Sequence, residues 1–351
     1  MAVIVVLGAG RMGTAICTPF LDRGHQVRLV GTHLDGEFIE ALRRTGIHPG
    51  LEHPLPKGAS YFRFEEAEAA FDGAEMIVLG VSSFGIPWAS QQLDRLLPKP
   101  LPLLTVTKGL AWDGSSFRLL PDVLVEGMSS SLRTGLRPVA VTGPCVAGEL
   151  IRKRDTTVTF TSRKVDDAEL WAGAVHTPYY NVWTSIDFIG CEVAAALKNA
   201  YAVGIGMAAG LLERSRDADA PADPPGVAAH NVEAALFAEA VAEMSDLARL
   251  AGGDRRTPFG MTGVGDLMVT LFARSVRLGR ALGSGQSYEE ALRANPGVTF
   301  EGAATIEVLG RALADLDAAQ RIHPRQLPLM RQLVAVIHGA PARISFERFF
   351  S

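Results

Sequence analysis

The chain has 351 residues, 48% of them hydrophobic, and a formal net charge of −4. That length favours two domains, and so apolar a chain can bury a substantial core. The acidic balance argues against a nucleic-acid binder, which carries a basic face; the three cysteines, Cys17, Cys145 and Cys191, form neither a disulfide framework nor a zinc pattern, so a reducing cytoplasm is expected.

The N-terminus enters structure at once, with no basic segment ahead of an apolar one, so no signal peptide is expected. Residues 3–15 read VIVVLGAGRMGTA. An apolar strand runs into Gly8, Gly10 and Gly13 and then into a helix start. Gly8 permits a tight turn, Gly10 lets the backbone approach a pyrophosphate, and Gly13 lets the helix pack close to the strand. The phosphates then meet free N–H groups at the helix start. This is a Rossmann-type dinucleotide signature.

Strands are expected at 3–7, 26–30, 61–64, 76–81, 103–107, 139–142, 157–161 and 180–184, with helical patterns between them, as at 12–23 and 168–175. Most are short apolar runs bounded by Gly, Pro, Asp or Ser, as in the buried strands of a parallel sheet. The alternation predicts an α/β class: an N-terminal doubly wound sheet. The second strand ends Leu29–Val30–Gly31–Thr32–His33, with no acid until Asp35. An acid about 20 residues past the glycines would hold the ribose hydroxyls of NAD. No arginine stands at the strand end for a 2′-phosphate, although Arg11 can reach one. The cofactor is therefore written NAD(P), with a slight lean to NAD.

Two turns after later strands can carry chemistry. Lys108, in VTKGL, lies just past a buried strand and can reach a bound anion. Gly143–Pro144–Cys145 follows the strand at 139–142, where backbone N–H groups can hold a substrate oxygen or phosphate. Cys145 has no histidine or acid assigned to it and reads as a packing or substrate-contact residue.

From about residue 189 strand signals vanish. Helices are expected at 192–212, 232–251, 288–294, 303–315 and 327–338. The chain thus divides into 1–188, an NAD(P)-binding domain, and 189–351, an all-helical substrate-binding and catalytic domain. Residues 193–212 are long enough to span a bilayer, but Lys198 and Asn199 near the middle favour a buried core helix. A lysine there costs several kcal/mol of desolvation unless it has partners. Burial also lowers a lysine pKa, which suits acid/base work near neutrality. Residues 217–226 (DADAPADPPG) read as an exposed loop. Asp266, in GMTGVGDL, can cap the helix that follows or pair with Lys198. Arg274 and Ser275 can clamp a phosphate, unless Arg277 and Arg280 make this a solvated basic face.

Taken in order, GAGRMG, VTKGL, GPCVAGEL, DFIGCEVAAALKNAYAVGIGM, AEMSDLA, GVGDLMVT, the Arg274 region, GSG, FEGAATIEVL and LPLMRQLVAVIHG resemble the NAD(P)-dependent sn-glycerol-3-phosphate dehydrogenases across almost the whole chain. The resemblance implies that Lys198 exchanges the proton at the hydroxyl carbon. It implies that Lys108 contacts substrate and cofactor, and that Asp266 and Thr270 are polar partners around them. Gly143 and Cys145 match the substrate turn, beside Ala147 on the cofactor. Arg274 and Ser275 match the phosphate clamp, with Arg274 also near the cofactor. Asn199 stands beside the catalytic lysine as a substrate contact. Gly8, Gly10, Arg11, Met12, Gly13, Thr32 and Glu301 match cofactor contacts. A small phosphorylated substrate and a homodimer are implied.

The chain departs from the family where Cys145 replaces Thr or Ser, Ser275 replaces Asn, and Glu233 and Glu239 occupy positions that are arginines in bacterial members. Glycerol 3-phosphate, dihydroxyacetone phosphate and related polyol phosphates all stand open as substrates. A β-hydroxyacid or ketopantoate-type reductase, needing a carboxylate clamp, and a non-catalytic dinucleotide sensor are the alternatives.

Overall fold

The structure, a computed structural model, describes residues 1–215, 224, 227–296 and 299–349. Its strands are β1 (Val3–Leu7), β2 (Gln26–Val30), β3 (Ala59–Phe62), β4 (Met76–Leu79), β5 (Leu103–Thr105), β6 (Leu110–Trp112), β7 (Phe117–Leu119), β8 (Pro138–Thr142), β9 (Thr156–Thr161) and β10 (Tyr180–Ser185). Two compact units form. One holds Met1–Lys108 and Leu119–Glu192, the other Gly109–Arg118 and Val193–Ser351.

The first unit is built on one eight-stranded sheet, ordered β10-β9-β8-β5-β4-β1-β2-β3. Each of the eight expected strands has a counterpart in it, although those expected at 61–64, 76–81 and 103–107 end earlier. Alternation along β1 sends Ile4 and Val6 into one core, with Val27, Leu29 and Val78. Val5 and Leu7 enter the other, with Val30, Ile77 and Leu79. Both faces are covered, which is why these strands read as unbroken apolar runs. The strand order reverses between β1 and β4, the place where a doubly wound sheet binds its ligand.

One expectation needs correction. β9 runs antiparallel to β8, with Val141 opposite Phe160, and β10 runs parallel to β9, so the sheet is mixed. The connection between β8 and β9 carries only the one-turn helix Ala147–Leu150. There is no crossover helix of the length that parallel neighbours in such a sheet use, and β9 turns back beside β8. The β6–β7 pair was absent from the expectations, because three-residue strands are too short to display a period.

In the second unit the expected helices appear as Phe188–Ser215, which begins just before the unit does, His230–Leu250, Tyr288–Arg293, Glu301–Ala318 and Pro328–Ile337. Arg274–Gly283 is a further helix. The long helix Phe188–Ser215 is apolar and long enough to cross a membrane, yet 78% of its apolar window is buried inside the fold. The loop 217–226 lies outside the described residues, apart from Pro224.

The long helix meets helix Arg274–Gly283 backbone to backbone. A methyl group at Gly206 would stand 2.3 Å from the Val276 carbonyl oxygen, and one at Gly279 would stand 2.0 Å from that of Val203. Only hydrogen fits at either place. A second pair of contacts, Gly210 with Arg280 and Gly283 with Met207, lies one turn further along both helices, so the two helices run side by side in one direction. These contacts put Arg274 level with about residue 201, about one turn along the axis from Lys198.

Glu243 ties this unit together from inside. It is 3% exposed and accepts hydrogen bonds from Tyr201 Oη (2.9 Å), Leu329 N (2.5 Å) and Met330 N (2.9 Å). Two of these donors open helix Pro328–Ile337, whose first N–H groups lack partners within the helix. Burial pushes the carboxyl from an ordinary 4.5 up to about 8, against the pull of those three bonds. Between those values the unfolded chain is ionised while the folded one holds the proton, so stability falls as pH rises from about 4.5 to about 8. The melting temperature is expected to fall over this range, and Glu243→Gln to flatten the fall. An unchanged slope in that variant would remove Glu243 from the linkage.

Candidate active site

The dinucleotide turn rests on backbone with no side chain between. Gly8 has φ of 110°. A methyl at Gly13 would lie 2.1 Å from Gly8 O, and one at Gly80, just past β4, would lie 2.9 Å from Gly13 Cα. The turn, the helix Arg11–Ala15 and the end of β4 therefore touch through glycines. Thr14 N donates to Gly10 O (2.8 Å), which begins the helical ladder and leaves the preceding amides for an anion. A methyl at Gly10 would meet nothing closer than 4.0 Å, so packing does not demand that glycine. Arg11 is exposed and Met12 half-buried.

Asp35 was passed over in the sequence as an acid too late to serve the ribose. It is 9% exposed, and its Oδ2 accepts from Ala9 N (3.1 Å), Thr32 N (2.8 Å) and Thr32 Oγ1 (2.9 Å). The carboxylate turns inward and pins the glycine turn to the end of β2. Thr32, a cofactor candidate, is thus fixed by Asp35. The buried His48 lies within electrostatic reach of both Arg11 and Asp35, and burial lowers its pKa.

Lys108 stands three residues beyond β5, half-buried. Its Nζ reaches the Gly143 carbonyl oxygen at 3.5 Å. Gly143 itself has φ of 94°, the left-handed turn that only glycine adopts freely. The structure thus brings together two candidates that lie 35 residues apart. Cys145 is half-buried and Ala147 opens the one-turn helix after it.

In the second unit Lys198 is 9% exposed, and its Nζ donates to Oδ1 of Asp266, a residue with no exposed surface. The capping role considered for Asp266 is corrected here. Residues Met261–Gly265 form a π-helical turn that runs straight into helix Asp266–Thr270. Asp266 is therefore inside helical backbone, and its carboxylate serves the lysine rather than a helix end. A methyl at Gly263 would fall 2.0 Å from Pro258 O, so the wide turn has no room for another residue type. Such turns re-aim a side chain at functional sites.

Thr270 Oγ1 donates to Asp266 O (2.6 Å), which braces the same short helix. Asn199 Nδ2 donates to Glu301 Oε2 (3.2 Å), at a point where a methyl on Gly302 would lie 2.4 Å from Asn199 O. Arg274 opens its helix exposed, with Ser275 buried behind it. Glu233 pairs with His230 (3.1 Å). Glu239 is 5% exposed, and its charge helps raise the pKa of Glu243.

Sequence reasoning missed Asp35, Glu243 and Glu192. The signal for Glu192 was present, since an acid in CEVAAALK is as conspicuous as the lysine that ends it. The signal for Asp35 was Thr32 three residues before it.

Comparisons with known proteins agree along the chain. A family model described as the NAD-dependent glycerol-3-phosphate dehydrogenase N-terminus matches residues 3–168, and its C-terminal counterpart matches 187–344. An NADP(+)-dependent glycerol-3-phosphate dehydrogenase of Archaeoglobus fulgidus is 33% identical over 327 residues, 91% of this chain and 92% of the relative. A glycerol-3-phosphate dehydrogenase [NAD(P)+] of Moorella thermoacetica is also 33% identical, over 96% of this chain and 92% of its own. The crystal structure of the Coxiella burnetii glycerol-3-phosphate dehydrogenase superposes with a TM-score of 0.77 at 26% identity, covering 96% of this chain and 94% of that one.

Proposed function

Because the chain belongs to the NAD-dependent glycerol-3-phosphate dehydrogenase family, we propose that the Lys198–Asp266 pair handles the proton in that family's reaction. The protein is an oxidoreductase acting on a CH–OH group, moving a hydride between NAD(P) and glycerol 3-phosphate. In the reducing direction dihydroxyacetone phosphate gains a hydride at its carbonyl carbon and a proton at its oxygen. A dinucleotide held at the glycine turn would supply the hydride. Lys198 Nζ gives the proton to the forming alkoxide. Asp266 holds the ammonium in place in a site dry enough to keep the pair coupled. Lys108, in the first unit, offers positive charge to the developing oxyanion of the substrate. Arg274, with the Ser275 hydroxyl, holds the phosphate, so that remote binding energy orients the reacting carbon. The observation that carries this reading is the buried lysine with a carboxylate of its own, 68 residues away in sequence.

Asp35 bears on the cofactor form. Three hydrogen bonds converge on its Oδ2 and commit that oxygen to Ala9 and Thr32. The turn instead offers Thr32, His33 and the exposed Arg11, which suit a 2′-phosphate. These groups support NADP as the proposed form, where the sequence leaned slightly to NAD. Initial rates with both forms and a panel of three- to five-carbon keto-phosphates test the whole reading. A KM for NADPH about tenfold below that for NADH is expected, as is a loss of at least about 100-fold in kcat/KM when the substrate phosphate is removed. Equal KM values would refute the cofactor assignment; equal rates without phosphate would refute the clamp. A homodimer in a reducing cytoplasm completes the proposal, with light scattering and fractionation as its checks.

A further inference from the structure

Glu192 is a buried acid that the proposed chemistry does not use. It lies near the start of helix Phe188–Ser215, 1% exposed, and neither carboxyl oxygen has a hydrogen-bond partner. Leaving a buried polar group unpaired costs about 1–3 kcal/mol, and more when the group is charged. The fold therefore favours the neutral acid, and burial pushes its pKa up to about 8.

The charged groups that bear on it are few. Lys108, past β5, favours the ionised form, and Asp122, on helix Leu120–Glu126, opposes it. Asp122 is already bound by both arms of Arg163, at 2.8 Å each. On the acid's own helix, the Cys191 thiol is pushed up to about 11 and stays neutral. The Asp187 carboxylate accepts from Gly190 N (3.0 Å). Of these groups, Lys108 is the cation whose charge Glu192 can answer.

We propose that Glu192 is a positioning residue for the charge of Lys108: as a neutral acid it leaves the ammonium available to the substrate oxygen, and as a carboxylate it claims that charge for itself. The inference rests on the reading of Lys108 as the cation at the developing oxyanion. Ionisation releases the carboxyl proton to solvent and places a negative charge in a dry site, where its effect on Lys108 is large. The reducing rate then declines as Glu192 ionises.

The test is kcat/KM for dihydroxyacetone phosphate against pH, from 6 to 9.5, in the parent, Glu192→Gln, Glu192→Asp and Lys108→Met. The parent is expected to lose rate with a midpoint near pH 8. Glu192→Gln, which keeps the shape and removes the proton, should move that alkaline limb up by at least one pH unit. Glu192→Asp should retain a limb, with a shifted midpoint, because its shorter side chain sits at another distance from Lys108. A folded Gln variant whose limb superposes on the parent's overturns the inference. If the Gln variant does not fold, an Asp variant with an unmoved midpoint overturns it equally. Lys108→Met separates the premise. Parental kcat/KM in that variant defeats the reading of Lys108 itself, whereas a large loss there with an unmoved Gln limb defeats Glu192 alone.

Discussion

Replacing Lys198 by alanine is expected to lower turnover in the reducing direction by about 10³-fold, the middle of the range for a positioned general acid, while the dissociation constant of the cofactor stays near the parental value. The glycine turn proposed to hold the cofactor belongs to the first unit and Lys198 to the second. The substitution also has a structural cost. Asp266 has no exposed surface, so losing the ammonium deprives a buried carboxylate of its countercharge at a cost of about 3–5 kcal/mol, and the melting temperature should drop. The double variant Lys198→Met/Asp266→Asn removes both charges together. It should recover most of the lost melting temperature and none of the lost turnover. A folded double variant within tenfold of parental turnover would falsify the assignment of Lys198 as proton donor.

Alanine at Gly13 is expected to raise the cofactor dissociation constant by at least about 100-fold and to destabilise the first unit by about 1–3 kcal/mol, the usual penalty for overpacking. The added methyl would stand 2.1 Å from a backbone carbonyl oxygen, and no side chain can move to relieve it. The helix must lift from the strand, and the amides that meet the phosphates move with it. Gly10→Ala makes the informative contrast. Its methyl has room within the protein, so the unit should keep its melting temperature yet still lose cofactor affinity. Titration of nicotinamide fluorescence reads both. Parental affinity in Gly10→Ala would mean that the phosphates do not approach the turn there.

Much of the site was legible because its signals are local. A glycine demanded by a close contact, an apolar run between turn residues and a lysine inside an apolar helix each announce themselves within a few positions. The eight sheet strands emerged this way, as did Lys198. Element ends were less legible: the strand expected at 61–64 is Ala59–Phe62, since terminal residues sit half in and half out of the ladder. Asp266 was legible as a candidate but not in its role. A carboxylate before a helical run has a good local partner in the helix end, and nothing in GMTGVGDL says that a π-helical turn carries the chain past that choice.

Asp35 and Glu192 mark the limit more sharply. By sequence alone Asp35 was a late acid in a loop, and Glu192 one more helical residue. Their behaviour depends on what is packed against them: three donors around one, and no hydrogen-bond partner at all for the other. Periodicity and steric demand are written in neighbouring residues, so the doubly wound sheet, the glycine turn and the candidate lysine could be read from them. Tertiary structure alone decided the antiparallel turn of β9, the inward Asp35, the Lys198–Asp266 pairing and the isolation of Glu192. Those depend on which distant groups share a buried space, and burial sets the strength of every charge and hydrogen bond within it.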